Sequence, residues 1–235
     1  LIECVRDFKS HMINHIQKEN DKMLEFIDDS SYASVLLQEF ERSITTFYEG
    51  LTPNDINQMK NLMNDAVIDR QYITFNYTLI LEGILSQYFK FRRYLESVPI
   101  HVHGKIGSDI VLGIDNTDQV KDTVFSLSNK GRRAFVKPIF NEQYDRLRVD
   151  NAKTIISQSN IICVYGFSMG KSDKTWTDLL SNWLLENSTH HIVIYQYGEV
   201  KLSNCNYDEI MDIEENRKYE LLSKLGIDDE TVLNQ

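Results

Sequence analysis

Proline, glycine and cysteine are all scarce, and each shortage excludes a class of architecture. Three prolines and ten glycines in 235 residues leave room for neither a collagen-like repeat nor a long flexible linker. The three cysteines, Cys4, Cys163 and Cys205, lie far apart with no C-x-x-C pair, which argues against a disulfide scaffold and against a four-cysteine zinc module. No apolar run approaches the roughly 18 residues that a membrane-spanning helix needs. The start, Leu1 to Asp7, lacks the basic, apolar and cleavage regions of a secretory signal, so a cytoplasmic protein is expected. It begins with Leu rather than Met, as a fragment of a longer chain would. Basic residues are also in the minority: 25 against 35 acidic gives a net charge of −10. That balance argues against nucleic acid as a partner, because nonspecific binding to a phosphate backbone is driven by lysine and arginine. The basic clusters Lys90, Arg92, Arg93 and Lys130, Arg132, Arg133 read as solvated surface.

What is present is apolar material for one large core, at 42% hydrophobic and 11% aromatic residues. Residues 2–49 place apolar side chains at helical spacing (Val5, Phe8, Met12, Ile16; then Val35, Leu36, Phe40, Ile44), which predicts two or three amphipathic helices. Thr52-Pro53 has the look of a capped helix start, with the helix running on through Val67. The texture then changes. Tyr72–Asn76, Val98–His103 and Ile110–Leu112 read as strands, the first followed by a helix from Leu79 to Phe89. A helix over 142–159 leads into Asn160–Gly166, the most apolar run in the chain and the candidate for a central strand buried on both faces. A helix through Trp176, Leu180 and Trp183 and a strand from His191 to Tyr197 follow, and 208–225 reads as a charged helix. The expected fold class is α/β, a parallel Rossmann-like sheet flanked by helices. The expected organisation is a helical subdomain or insertion at 1–70, an α/β nucleotide-binding core at 71–200, and a C-terminal helical segment at 201–235.

Open parallel sheets bind ligands at the carboxyl ends of their strands. Three segments there carry small or polar residues: Thr74-Phe75-Asn76-Tyr77-Thr78, His101-Val102-His103-Gly104 and Gly166-Phe167-Ser168-Met169-Gly170-Lys171-Ser172-Asp173. In their order and their placement after strands they resemble the bacteriophage abortive-infection AbiH family, and more remotely the Sir2-type NAD-binding domains, over roughly residues 70–185. The resemblance implies a Sir2-like fold and a phage-defence role, with hydrolysis of NAD to nicotinamide and ADP-ribose as the activity. It also implies roles for matching residues: Asn76 beside the nicotinamide ribose, His103 acting on the ribose hydroxyls, Gly166 and Ser168 at the phosphate or adenosine ribose, with Thr74 and Gly104 flanking. The partners expected are a dinucleotide, a phage-derived trigger and a second copy of the chain, with no metal and no membrane; from their position alone, the helices of 2–70 are expected to form a regulatory or oligomer-building layer. The glycine-rich turn that opens such domains has no counterpart here, since no glycine precedes Gly50. Either that turn has been lost from the numbered chain or this member cannot hold the dinucleotide in the normal way.

The residue types also argue for themselves. Cleaving a nicotinamide–ribose bond develops positive charge on the sugar, so a site needs an oriented amide near the anomeric carbon and a base for a hydroxyl or water. Asparagine and histidine supply these groups. The plainer alternatives are that Asn76 or Thr78 caps the following helix, and that His103 is an architectural histidine at a strand end. A noncatalytic nucleotide-binding or protein-interaction module is therefore the rival reading. His101 and His103 alternate like a metal pair but lack a third ligand. Gly166–Ser172 falls one residue short of a Walker loop, which needs four residues between its glycines. Asp173 is expected to cap the next helix. His190, His191 and Cys163 sit in or beside expected core strands, and the Trp176, Leu180, Trp183 stripe is expected to be core.

Overall fold

The computed structural model describes residues 2–64, 68–90, 98–108, 110–113, 136–137, 146–170, 173–195 and 205–227. Val67, the start of the 142–159 helix, Lys171, Ser172, Tyr197 and the two basic clusters, apart from the backbone of Lys90, lie outside them. The chain divides into two compact units, one of residues 1–113 and 122–152, the other of 114–121 and 153–235. The fold is mixed α/β, mostly helical, with small parallel sheets.

Unit 1 opens with α1 (Ile2–Asp28) and α2 (Ser30–Thr45), followed by α3 (Pro53–Met63). Thr52 caps α3, its side chain accepting from the Asp55 amide, and Pro53 occupies the first turn, where no amide hydrogen is needed. After β1 (Ile73–Thr74) comes α4 (Ile80–Lys90), and α1, α2 and α4 pack on one another around the fully buried Ile27. Gly83 on α4 permits the approach: a Cβ there would stand 2.8 Å from Leu24 Cδ2 on α1. Neither Asn76 nor Thr78 makes the expected cap of α4. Asn20, buried on α1, does so instead, its Oδ1 accepting from the Leu79 amide at 2.7 Å.

Strand β1 pairs in parallel with β2 (Ile100–His101), with Ile73 opposite Ile100 and Thr74 opposite His101. Both strands are shorter than expected. His103 lies past β2 in a turn closed by the Gly104 amide on the His101 carbonyl, so the two histidines do not alternate along a strand. The expected strand at Ile110–Leu112 is not one. Its Val111 amide instead donates to the His103 carbonyl at 2.8 Å, and Tyr77 donates its hydroxyl to the Val111 carbonyl, so buried Ile110 and Val111 clamp the turn.

The boundary between the units falls within α5 (Arg146–Gln158). In unit 2, β3 (Ile161–Tyr165) pairs in parallel with β4 (His191–Tyr195) over five aligned residues, and α6 (Lys174–Glu186) connects them. Among the described residues β3 has a strand on one side only, and apart from Val164 its residues retain solvent exposure; it is not the doubly buried central strand expected. Trp176, Leu180 and Trp183 of α6 are buried as the stripe predicts. Asp173 stands at the N-cap position of α6, but its side chain makes no capping hydrogen bond. Helix α7 (Tyr207–Leu225) packs on α6. A reciprocal Asn206–Glu209 capping box starts it, and Gly226, at φ 69°, ends it in the left-handed conformation.

Candidate functional site

The unit 1 candidates gather where β1 and β2 end. Thr74 is buried and its hydroxyl accepts from the Asn76 amide, which turns the chain sharply after the strand. The Asn76 carbonyl is tied to β2 by His101, while the Asn76 side chain is exposed. His101 is 3% exposed, with Nδ1 2.9 Å from that carbonyl and Nε2 2.7 Å from Glu82 Oε1. A carbonyl can only accept, so Nδ1 donates to the Asn76 carbonyl, and Nε2 faces the Glu82 carboxylate. Lys105 adds its ammonium to the same Oε1 at 3.2 Å. His101, Glu82 and Lys105 thus form a charged clamp behind the turn that carries Asn76.

His103 is buried to a similar degree. It is 4% exposed, its ring meets Phe75 edge to face at 5.5 Å, and its Nε2 lies 3.5 Å from the ammonium of the buried Lys137. Gly104 beside it is buried at φ 79°, a backbone state that favours glycine. Thr74, Asn76, His103 and Gly104 therefore share one pair of strand ends, but the amide of Asn76 faces solvent and the imidazole of His103 faces protein.

Gly166 and Ser168 lie in unit 2, on the turn that leaves β3. Gly166 (φ 62°) and Met169 (φ 51°) are both left-handed. For Met169 this is a strained state, held by burial of its side chain. The turn lines a cavity of about 360 Å³ together with Phe167, Ile194, Tyr195 and, from α7, Glu220 and Lys224. Tyr195 is stacked on its register partner Tyr165 at 4.2 Å. Lys224 pairs with Glu220 at 2.8 Å, and this hydrogen bond holds the Glu220 carboxyl below the usual carboxylate range.

Other sequence candidates have structural roles. His190 stacks on Trp183 at 4.5 Å and bonds its carbonyl, while Trp183 donates to the Ser159 carbonyl. Burial pushes the Cys163 thiol up to about 11, away from nucleophilic chemistry. Both ring nitrogens of His101 are engaged by oxygen acceptors, and among the described residues no three His, Cys, Asp or Glu side chains are grouped to hold a metal.

A model of the bacteriophage abortive infection AbiH family matches residues 3–195. The chain belongs to the AbiH family. No curated protein and no solved structure matches it significantly. For this AbiH chain the match spans the strand ends just described and α1 to β4, and it stops before α7. Among the described residues no helix is long and apolar enough to cross a membrane. Sequence reasoning missed Glu82, Lys105 and Lys137 in unit 1 and Tyr195, Glu220 and Lys224 in unit 2. Glu82 had a legible signal, being the one charged residue between Arg70 and Lys90. The others look like ordinary surface residues until the chain is folded.

Proposed function

We propose that this AbiH chain acts in abortive infection as a Sir2-like, Rossmann-type nucleotide-binding protein that hydrolyses NAD to nicotinamide and ADP-ribose. The observation that carries the reading is the parallel pairing of β1 with β2, which sets the Asn76 turn beside the His103 turn at the carboxyl ends of both strands. In the reaction the bond between the ribose anomeric carbon and the pyridinium nitrogen breaks, and its electron pair leaves with neutral nicotinamide. A water oxygen bonds to the anomeric carbon and loses a proton. The Asn76 amide orients the ribose and the attacking water, and His103 accepts the proton directly or through a ribose hydroxyl. His101, Glu82 and Lys105 are positioning residues that fix the backbone of the Asn76 turn. A phage-derived trigger switches the activity on, and the helices of 2–70 build a homo-oligomer.

The burial of His103 against Phe75 favours the rival reading, a noncatalytic module in which this histidine is architectural. One experiment separates them. Full-length protein is incubated with NAD, in uninfected and in phage-infected cell extract, and free nicotinamide is followed for the parent, Asn76→Ala and His103→Ala. The catalytic reading expects release by the parent and at least a hundredfold less from either variant with unchanged circular dichroism. Equal release from all three, or none from the parent under either condition, selects the noncatalytic module.

A further inference from the structure

We propose that α1 pairs antiparallel with α1 of a second copy of this chain, through the face that carries Phe8 and Phe26. The proposal rests on the homo-oligomer reading above and names the surface, the orientation and the register. Two faces of α1 carry large apolar side chains. One is used within unit 1, where Asn20 caps α4, Leu24 meets Gly83 and Ile27 is fully buried. The other is uncovered. Phe8 and Phe26 lie eighteen residues apart, five full turns of helix, so they share a side, and they are 65% and 42% exposed. Phe26 is stacked on Tyr32 at 4.6 Å, so a partner gains contact with a ring that is already ordered. Exposed aromatic side chains aligned on one helix face mark a protein contact.

The spacing along that face identifies the occupant. Phe8, Met12, His15, Glu19, Lys22 and Phe26 follow one another at intervals of four, three, four, three and four residues, the a and d positions of a heptad. All six side chains are at least partly exposed. The intervals read the same from either end, so a second α1 running the other way meets the first position for position. Phe8 then faces Phe26 of the second copy, Met12 faces Lys22 and His15 faces Glu19, each twice about one two-fold axis. The outer layers are aromatic on aromatic. The middle layers set an imidazole against a carboxylate; Lys22 of the same helix takes its Oε1, and a carboxylate accepts at both oxygens. The methylene stem of Lys22 covers Met12 of the second copy while its ammonium stays in water. A parallel pair would instead set Glu19 on Glu19 and Lys22 on Lys22, like charges opposite one another. Charge therefore selects the antiparallel pair, and the polar central layers fix its register.

The test is sedimentation equilibrium of the full chain. The parent should dimerise at micromolar concentration. Phe8→Glu and Phe26→Glu should each weaken the dimer at least tenfold with unchanged circular dichroism, while Leu147→Glu, at another exposed apolar position, should leave it as it is. His15→Glu should weaken the dimer at least tenfold, and adding Glu19→Lys should restore it to within threefold, a rescue that only facing residues give. In a Cys4→Ser background, Phe8→Cys mixed with Phe26→Cys should form a disulfide-linked dimer on oxidation, and either variant alone should form at least fivefold less. Equal cross-linking by Phe8→Cys alone, as a parallel pair would give, or no rescue by Glu19→Lys would overturn the proposal. A dimer that survives both glutamate replacements on α1 would overturn it too, while leaving the homo-oligomer reading standing. A full chain that stays monomeric at about 100 µM would sink both.

Discussion

The two small sheets are built on opposite principles. In unit 1, β1 and β2 share two residue pairs, and what holds their ends in place is polar: Thr74 on the Asn76 amide, His101 on the Asn76 carbonyl, Glu82 on His101, Lys105 on Glu82. In unit 2, β3 and β4 share five pairs and are connected by α6, whose tryptophans are buried; His190, just before β4, stacks on an indole. Apolar packing tolerates small shifts, whereas a buried hydrogen-bonded charge network holds one geometry and is costly to leave half made. A short sheet with a polar network fits a place where a turn must be fixed. A longer apolar sheet fits a scaffold.

The contrast can be broken from either side. Trp183→Ala should cost most, about 3–5 kcal/mol, since it opens a large cavity, frees the His190 ring and leaves the Ser159 carbonyl without its donor. A urea titration followed by the fluorescence of the remaining Trp176 measures it. Glu82→Ala should cost about 3 kcal/mol by circular dichroism, because it removes the carboxylate that His101 and Lys105 share. If the loss is under about 1 kcal/mol, the clamp is not a structural centre of unit 1.

Cys163 sharpens the comparison through pH. Its thiol is held up to about 11 by burial, above the ordinary thiol value of 9.0, so the stability it contributes is full below pH 9 and is lost as the pH rises towards 11. Stability of the parent should fall by up to roughly 2 kcal/mol more than that of Cys163→Ala across that window. At pH 8 the exposed Cys4 should react with a maleimide long before Cys163 does. Asn20→Ala, which uncaps α4 from within α1, should cost about 1–2 kcal/mol, measured by circular dichroism in urea. Lys174→Ala, which removes an exposed i,i+4 pair with Asp178, should change the midpoint by less than about 0.5 kcal/mol.

Much of the chain was legible before folding because its signals are local. The helical periodicity of 2–49, the Thr52-Pro53 start of α3 and the α6 stripe follow from spacing within a few residues, and the parallel pairing of strands from the alternation of strand, helix and strand along the chain. The expectations that failed depended on partners distant in sequence. Asn76 and Thr78 are well placed to cap α4, but α1 brings Asn20 to the Leu79 amide from 59 residues away. Ile110–Leu112 has the composition of a strand, but the tertiary fold spends its hydrogen bonds on the His103 turn. The candidate site divides the same way: the turns of Asn76, His103 and Gly166 can be read from motifs, and the Glu82 clamp and the α7 wall cannot.

By itself, then, the sequence determined the helices, the caps written into adjacent residues, the parallel α/β character and the resemblance to its family. Tertiary structure decided which histidine is tied to a carboxylate, which asparagine caps a helix, and which of two similar polar turns faces solvent. The reason is physical: periodicity and capping depend on neighbours along the chain, whereas burial and charge pairing depend on neighbours in space, which sequence spacing does not encode.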